Sequence, residues 1–158
     1  MSVSSEVYQE LILHHSRTPR HFGPLPDATH AASADNPLCG DRYEIRLRVD
    51  EAGVIRAAAF EGVGCAISKA SASLMLEAAI GLSRSEFEEL FHVFHAVVRG
   101  EPPAPEAAAK LGKLAAFSGV WTYPSRVKCA ILCWHAVQHA LAGTDGAGAE
   151  AESSGGLR

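Results

Sequence analysis

Apolar residues recur at two different periods along this chain, and the change of period sets its layout. Val7, Tyr8, Leu11 and Ile12 fall at helical spacing, which predicts an amphipathic helix over about the first 16 residues, ended by Thr18-Pro19-Arg20. Residues 19–29 hold Pro19, Gly23, Pro24 and Pro26 and read as irregular. Tyr43, Ile45, Leu47 and Val49 then alternate with Glu44, Arg46 and Arg48, the signature of a half-buried strand. Asp50-Glu51-Ala52-Gly53 is a turn, and Val54 to Phe60 a second strand of the same hairpin. A further strand around His30 to Ala34 would make three antiparallel strands.

After Gly64 the period becomes helical. Ile67, Ala70, Leu74 and Ala78 share one face. Ser83-Arg84-Ser85-Glu86 is a capping box, followed by an amphipathic helix carrying Phe87, Leu90, Phe91, Phe94 and Val98. Gly100 stops it, and Glu101 to Pro105 is a stiff connector to a short helix from about Glu106 to Ala116. Pro124-Ser125 opens the last helix, with Val127, Ala130, Ile131, Trp134 and Leu141 on its buried face. The order of helix, strands, then helices predicts an α+β fold, with helices on one face of a small three-stranded antiparallel sheet. Residues 1–142 are expected to form one domain. Residues 143–158 are mostly Gly, Ala, Ser and Glu, with Thr144, Asp145, Leu157 and Arg158, and are expected to be a disordered tail.

Composition narrows the class. The 158 residues are 47% hydrophobic, enough for one well-filled core. A formal charge of −4 gives no footprint for nucleic acid or for an anionic membrane. No apolar run approaches the roughly 20 residues of a membrane span. The N-terminus lacks the basic start and apolar stretch of a secretory signal, so a cytoplasmic location is expected. There, four Cys are better read as ligands or reactive thiols than as disulfides.

Three of these cysteines lie in settings that favour a thiolate. Cys39 sits in Asn36-Pro37-Leu38-Cys39-Gly40-Asp41, a turn with an acid two residues on. Cys39 and Asp41 could converge on one ion, with Gly40 giving the backbone freedom to do so, or be a turn cysteine beside a solvated acid. Cys65 follows Gly62-Val63-Gly64 and starts a helix, where free N–H groups favour negative sulfur; otherwise it is a small buried residue. Cys129 follows Arg126 and Lys128 at a basic helix start. Three thiolates and a carboxylate suit a four-coordinate zinc or an iron–sulfur cluster. Cys133, one turn beyond Cys129, reads as a core cysteine. Of eight His, the pairs His92/His95 and His135/His139 have ligand spacing but no completing donors, and read as partly exposed surface residues. Adjacent His14 and His15 point to different helix faces and make a poor metal pair.

At Asn36 to Asp41, at Gly62-Val63-Gly64-Cys65-Ala66-Ile67-Ser68-Lys69-Ala70-Ser71-Ala72-Ser73, and at Pro124-Ser125-Arg126-Val127-Lys128-Cys129-Ala130-Ile131-Leu132, the chain resembles the SufU-type branch of the IscU/NifU N-terminal-like family. Tyr8 to Leu13 through Pro19-Arg20 also looks like that family, so the resemblance spans nearly all of residues 6–141. In the scaffold branch a His directly precedes the third Cys, whereas this chain has Lys128. The segment between Cys65 and Cys129 is also longer than in that branch. Both features look like the zinc-binding branch.

The resemblance implies a role in iron–sulfur cluster biogenesis. The protein would be a sulfurtransferase-like carrier, taking persulfide sulfur from a SufS-type, PLP-dependent cysteine desulfurase and passing it to downstream assembly machinery. Position by position it implies zinc ligands Cys39, Asp41, Cys65 and Cys129, a sulfur-accepting thiol at Cys39, and Arg126 near the site. Cys133 departs from the family pattern. Two other readings stand beside this one: an IscU-like scaffold for a [2Fe–2S] cluster, and a purely structural zinc module.

Overall fold

The computed structural model describes residues 5–38 and 40–143. Cys39 and the tail from residue 144 lie outside them. Helix α1 (Ser5–Arg17) is followed by strands β1 (His30–Asn36), β2 (Asp41–Val49) and β3 (Ile55–Val63), then by helices α2 (Ala66–Ala79), α3 (Arg84–Val98), α4 (Pro105–Leu111) and α5 (Pro124–Leu141). The strands form one antiparallel sheet in the order β1-β2-β3.

Alternation does what period two requires. Tyr43, Ile45 and Leu47 are buried, and Arg42 and Glu44 face solvent. The helices cover the buried face, with α5 lying across β1 and β2 and against α2, while α1 packs on α2. Trp134, fully buried on α5, stacks on Phe94 at 4.3 Å and on Phe91 and Phe87 of α3 at 5.4 and 5.5 Å. The capping box at Ser83 and Glu86 is formed from both sides. No helix among the described residues is long and apolar enough to cross a membrane.

Two expectations need correction. The helix expected over Glu106–Ala116 is split: α4 ends at Leu111, and a 3₁₀ segment, Gly112–Phe117, continues. Gly112 takes φ 51°, a left-handed value that an α-helix does not tolerate and that a residue without Cβ adopts readily. Helix α2 is also buried beyond the single stripe its aliphatic residues predict. Ser68, Ser71, Ser73, Met75 and Leu76 are buried with it. Small Ala and Ser side chains let α1 and α5 approach from both sides, and hydroxyls hydrogen-bonded to neighbours carry little burial cost.

Candidate metal centre

Three elements end at one place. The alternation that turns Tyr43, Ile45 and Leu47 inward also turns Asp41, the first residue of β2, inward, and its side chain is 0% exposed. Packing alone gives no reason to put a carboxylate there. Its Oδ1 accepts the Cys65 N–H at 2.9 Å. Its Oδ2 is buried with no hydrogen-bond partner among the described residues.

Cys65 is the N-cap of α2, and its Sγ accepts the Ser68 N–H at 3.4 Å, where an oxygen would normally cap. The approach to it depends on glycine. A Cβ at Gly64 would meet the Tyr43 hydroxyl and lie 2.7 Å from both Asp41 Oδ1 and Ser68 Oγ. Cys129, in the second turn of α5, is 5% exposed. The donor atoms of Asp41, Cys65 and Cys129 all lie within 4.8 Å of one another. They form the only such group of three among the described residues. Cys39, two residues before Asp41, lies outside the described residues.

The two thiols are not equivalent. The neighbouring Cys129 thiol lowers the Cys65 pKa; burial opposes this, and the Ser68 N–H and hydroxyl add to it. The proximity of Cys65, burial and the nearby Asp41 raise the Cys129 pKa. Lys128 is exposed, and so is Arg126, whose guanidinium lies 4.3 Å over the Tyr123 ring. Cys133 is 1% exposed and burial pushes its pKa well up, consistent with a core cysteine.

A groove of about 840 Å³ opens over Cys65 and Cys129, walled by Tyr8, Ile12 and Leu13 of α1 and by Val120, Tyr123 and Arg126. The histidines stand apart from it. His92 is exposed, and His95 and His135 pack on the ring of Phe91. Sequence reasoning missed His15, which is buried with Nδ1 2.7 Å from Ser73 Oγ. It also missed Tyr43 and Ser68 as neighbours of Cys65. Their signals were the inward register two residues after Asp41 and the N-cap spacing of three after Cys65.

The profile of the NifU-like N terminal domain matches residues 7–130. The chain belongs to that family. It is 37% identical over 142 residues to the iron–sulfur cluster assembly scaffold protein IscU of Streptococcus pyogenes serotype M1, covering 89% of this chain and 86% of that one. It is 34% identical over 140 residues to the zinc-dependent sulfurtransferase SufU of Bacillus subtilis strain 168, covering 89% and 92%. Among solved structures, that of the nitrogen-fixing NifU-like protein (N-terminal) from Brucella abortus matches with a TM-score of 0.76 at 25% identity, over 87% of this chain and 94% of that one. In this family member the α+β fold expected from the sequence is the fold found.

Proposed function

We propose that this chain takes part in iron–sulfur cluster assembly as a zinc-binding acceptor of sulfur from a SufS-type, PLP-dependent cysteine desulfurase in the cytoplasm. The observation that carries the reading is the convergence of Asp41, Cys65 and Cys129, with a carboxylate oxygen buried and unpartnered among the described residues. A buried acceptor without a donor is costly unless a cation meets it. One oxygen and two sulfurs, with Cys39 as the fourth donor, suit tetrahedral zinc. When bound, zinc would keep these thiols deprotonated at neutral pH without redox chemistry of its own.

The transfer itself needs only sulfur chemistry. The Cys39 thiolate attacks the terminal sulfur of the donor's persulfide. A new S–S bond forms at Cys39, the donor's S–S bond breaks, and its electron pair leaves on the donor thiolate. Arg126, exposed at the mouth of the groove, offers a cation to the incoming anionic persulfide. The Bacillus subtilis relative named as a zinc-dependent sulfurtransferase supports this reading. So does Lys128, whose ammonium has no lone pair to offer a metal.

The Streptococcus pyogenes relative, named as a scaffold, favours a second reading: a [2Fe–2S] cluster carried as cargo on the same thiols. Purified protein that is colourless and holds zinc supports the first; brown protein with iron and sulfide supports the second. The decisive test of sulfur acceptance is incubation with desulfurase, PLP and cysteine, followed by peptide mass spectrometry. Added sulfur is expected on Cys39, and Cys39→Ala is expected to abolish desulfurase stimulation. Persulfide on Cys129 or Cys133 with Cys39 unmodified would overturn the assignment.

A further inference from the structure

Behind Cys65 lies a short chain of hydroxyl groups sealed from solvent. Ser68 Oγ is 3.5 Å from Cys65 Sγ, 3.1 Å from the Cys65 carbonyl oxygen and 2.8 Å from the Tyr43 hydroxyl. Ser68 is 0% exposed and Tyr43 2%. The phenol is fixed from two sides. Its ring meets Phe60 edge-on at 5.8 Å, and the β2 register points it inward beside Asp41. The space it fills exists because residue 64 has no side chain: a Cβ there would collide with the Tyr43 hydroxyl.

The direction of these hydrogen bonds depends on the sulfur. A thiol at Cys65 donates to Ser68 Oγ, and the serine proton is then free for the Cys65 carbonyl or for Tyr43. A metal-bound sulfur has no proton and only accepts. The favourable arrangement is then the reverse one, in which Ser68 O–H donates to Cys65 Sγ and Tyr43 O–H donates to Ser68 Oγ. The Ser68 backbone N–H, 3.4 Å from the same sulfur, already points that way. Cys65 would thus receive donors from Ser68 at two atoms while its own N–H is held by Asp41 Oδ1.

We propose that Tyr43 and Ser68 are positioning residues. They form a donor relay from Tyr43 to Ser68 to the Cys65 sulfur, which keeps Cys65 fixed on the metal so that ligand exchange falls on another member of the set. The proposal rests on the metal-centre reading above. Partners of this kind, one bond removed from the metal, commonly change metal affinity by about 10- to 100-fold when removed. Tyr43→Phe is the cleanest probe, because it deletes one oxygen and keeps the ring that packs on Phe60.

The test uses the full chain loaded with zinc, and separately with Co²⁺, as wild type, Tyr43→Phe, Ser68→Ala and the double variant. Chelator should strip zinc from each single variant about tenfold faster. The thiolate-to-cobalt absorption should move to longer wavelength, because a sulfur that loses a hydrogen bond gives up an electron more easily. The double variant should be no worse than Ser68→Ala alone, because the relay passes through Ser68. Additive losses, an unmoved cobalt band, or a lower melting temperature with unchanged zinc release would each overturn the relay. Wild type that takes up neither metal would remove the metal-centre reading and the relay together. Wild type that binds normally beside unchanged variants would remove the relay alone.

Discussion

Helix α2 turns polar side chains inward at two places, and the two are held differently. In its middle, Ser71 Oγ donates to the Ala130 carbonyl at 2.6 Å and accepts the Trp134 indole N–H at 3.1 Å. Ser73 Oγ accepts the Arg20 N–H and meets His15 Nδ1, both at 2.7 Å. At its N-terminal end, Cys65 and Cys129 compete for a proton beside Asp41, whose Oδ2 has no partner among the described residues. The first lies in the buried middle of the helix; at the second, Asp41 and Cys129 are buried while Cys65, the N-cap, is half-buried on the groove. The first is complete with protein atoms alone and ties α1 and α5 to α2. The second leaves a carboxylate oxygen without a hydrogen-bond partner among the described residues, beside two thiols.

The largest effect should come from the incomplete region. Its candidate donors lie on β2, at the start of α2 and on α5, far apart in sequence, so a metal bound there would also contribute folding energy. Removing metal with a chelator should lower the melting temperature by on the order of 10 °C, read by scanning calorimetry. Equal melting of the two forms would erase the contrast between the regions.

The complete region should fail in a different way. Ser71→Ala leaves the buried Trp134 N–H without its acceptor, at a cost of about 1–3 kcal/mol. Melting should fall by several degrees with zinc content unchanged. Loss of zinc in this variant would mean the two regions are coupled.

His15 gives a smaller, pH-dependent effect. Burial lowers its pKa below the ordinary value, against the pull of Glu77 and with help from His14, Lys113 and Arg20. The unfolded chain therefore binds the proton more readily than the folded one, and stability should fall as pH drops through about 6.5 and below. His15→Gln should flatten that slope in metal-free protein; an unchanged slope would assign it to other groups. Smallest of all, deleting residues 143–158, which lack the apolar content to pack, should leave melting and zinc content unaltered.

Much of this was legible in the chain because period and position coincide. The inward alternation of β2 and the Ser83 box each follow from local rules and are found where those rules put them. Local rules gave less at α2, where Ser and Ala read as weakly polar yet are buried by long-range contacts with α1 and α5. His15 was opaque for the same reason, since its partner Ser73 is 58 residues away. At the site, motif and chemistry pointed to Cys39, Asp41, Cys65 and Cys129; the fold brings the last three together, and Cys39 lies outside the described residues. That Cys65 and Cys129 face each other depends on the packing of α2 against α5, which no local pattern encodes.

Metal analysis of purified protein, compared with its Cys65→Ser, Cys129→Ser double variant, tests the central claim most directly. About one zinc per chain is expected in the wild type and none retained in the double variant. Stoichiometric zinc surviving in the double variant would contradict it.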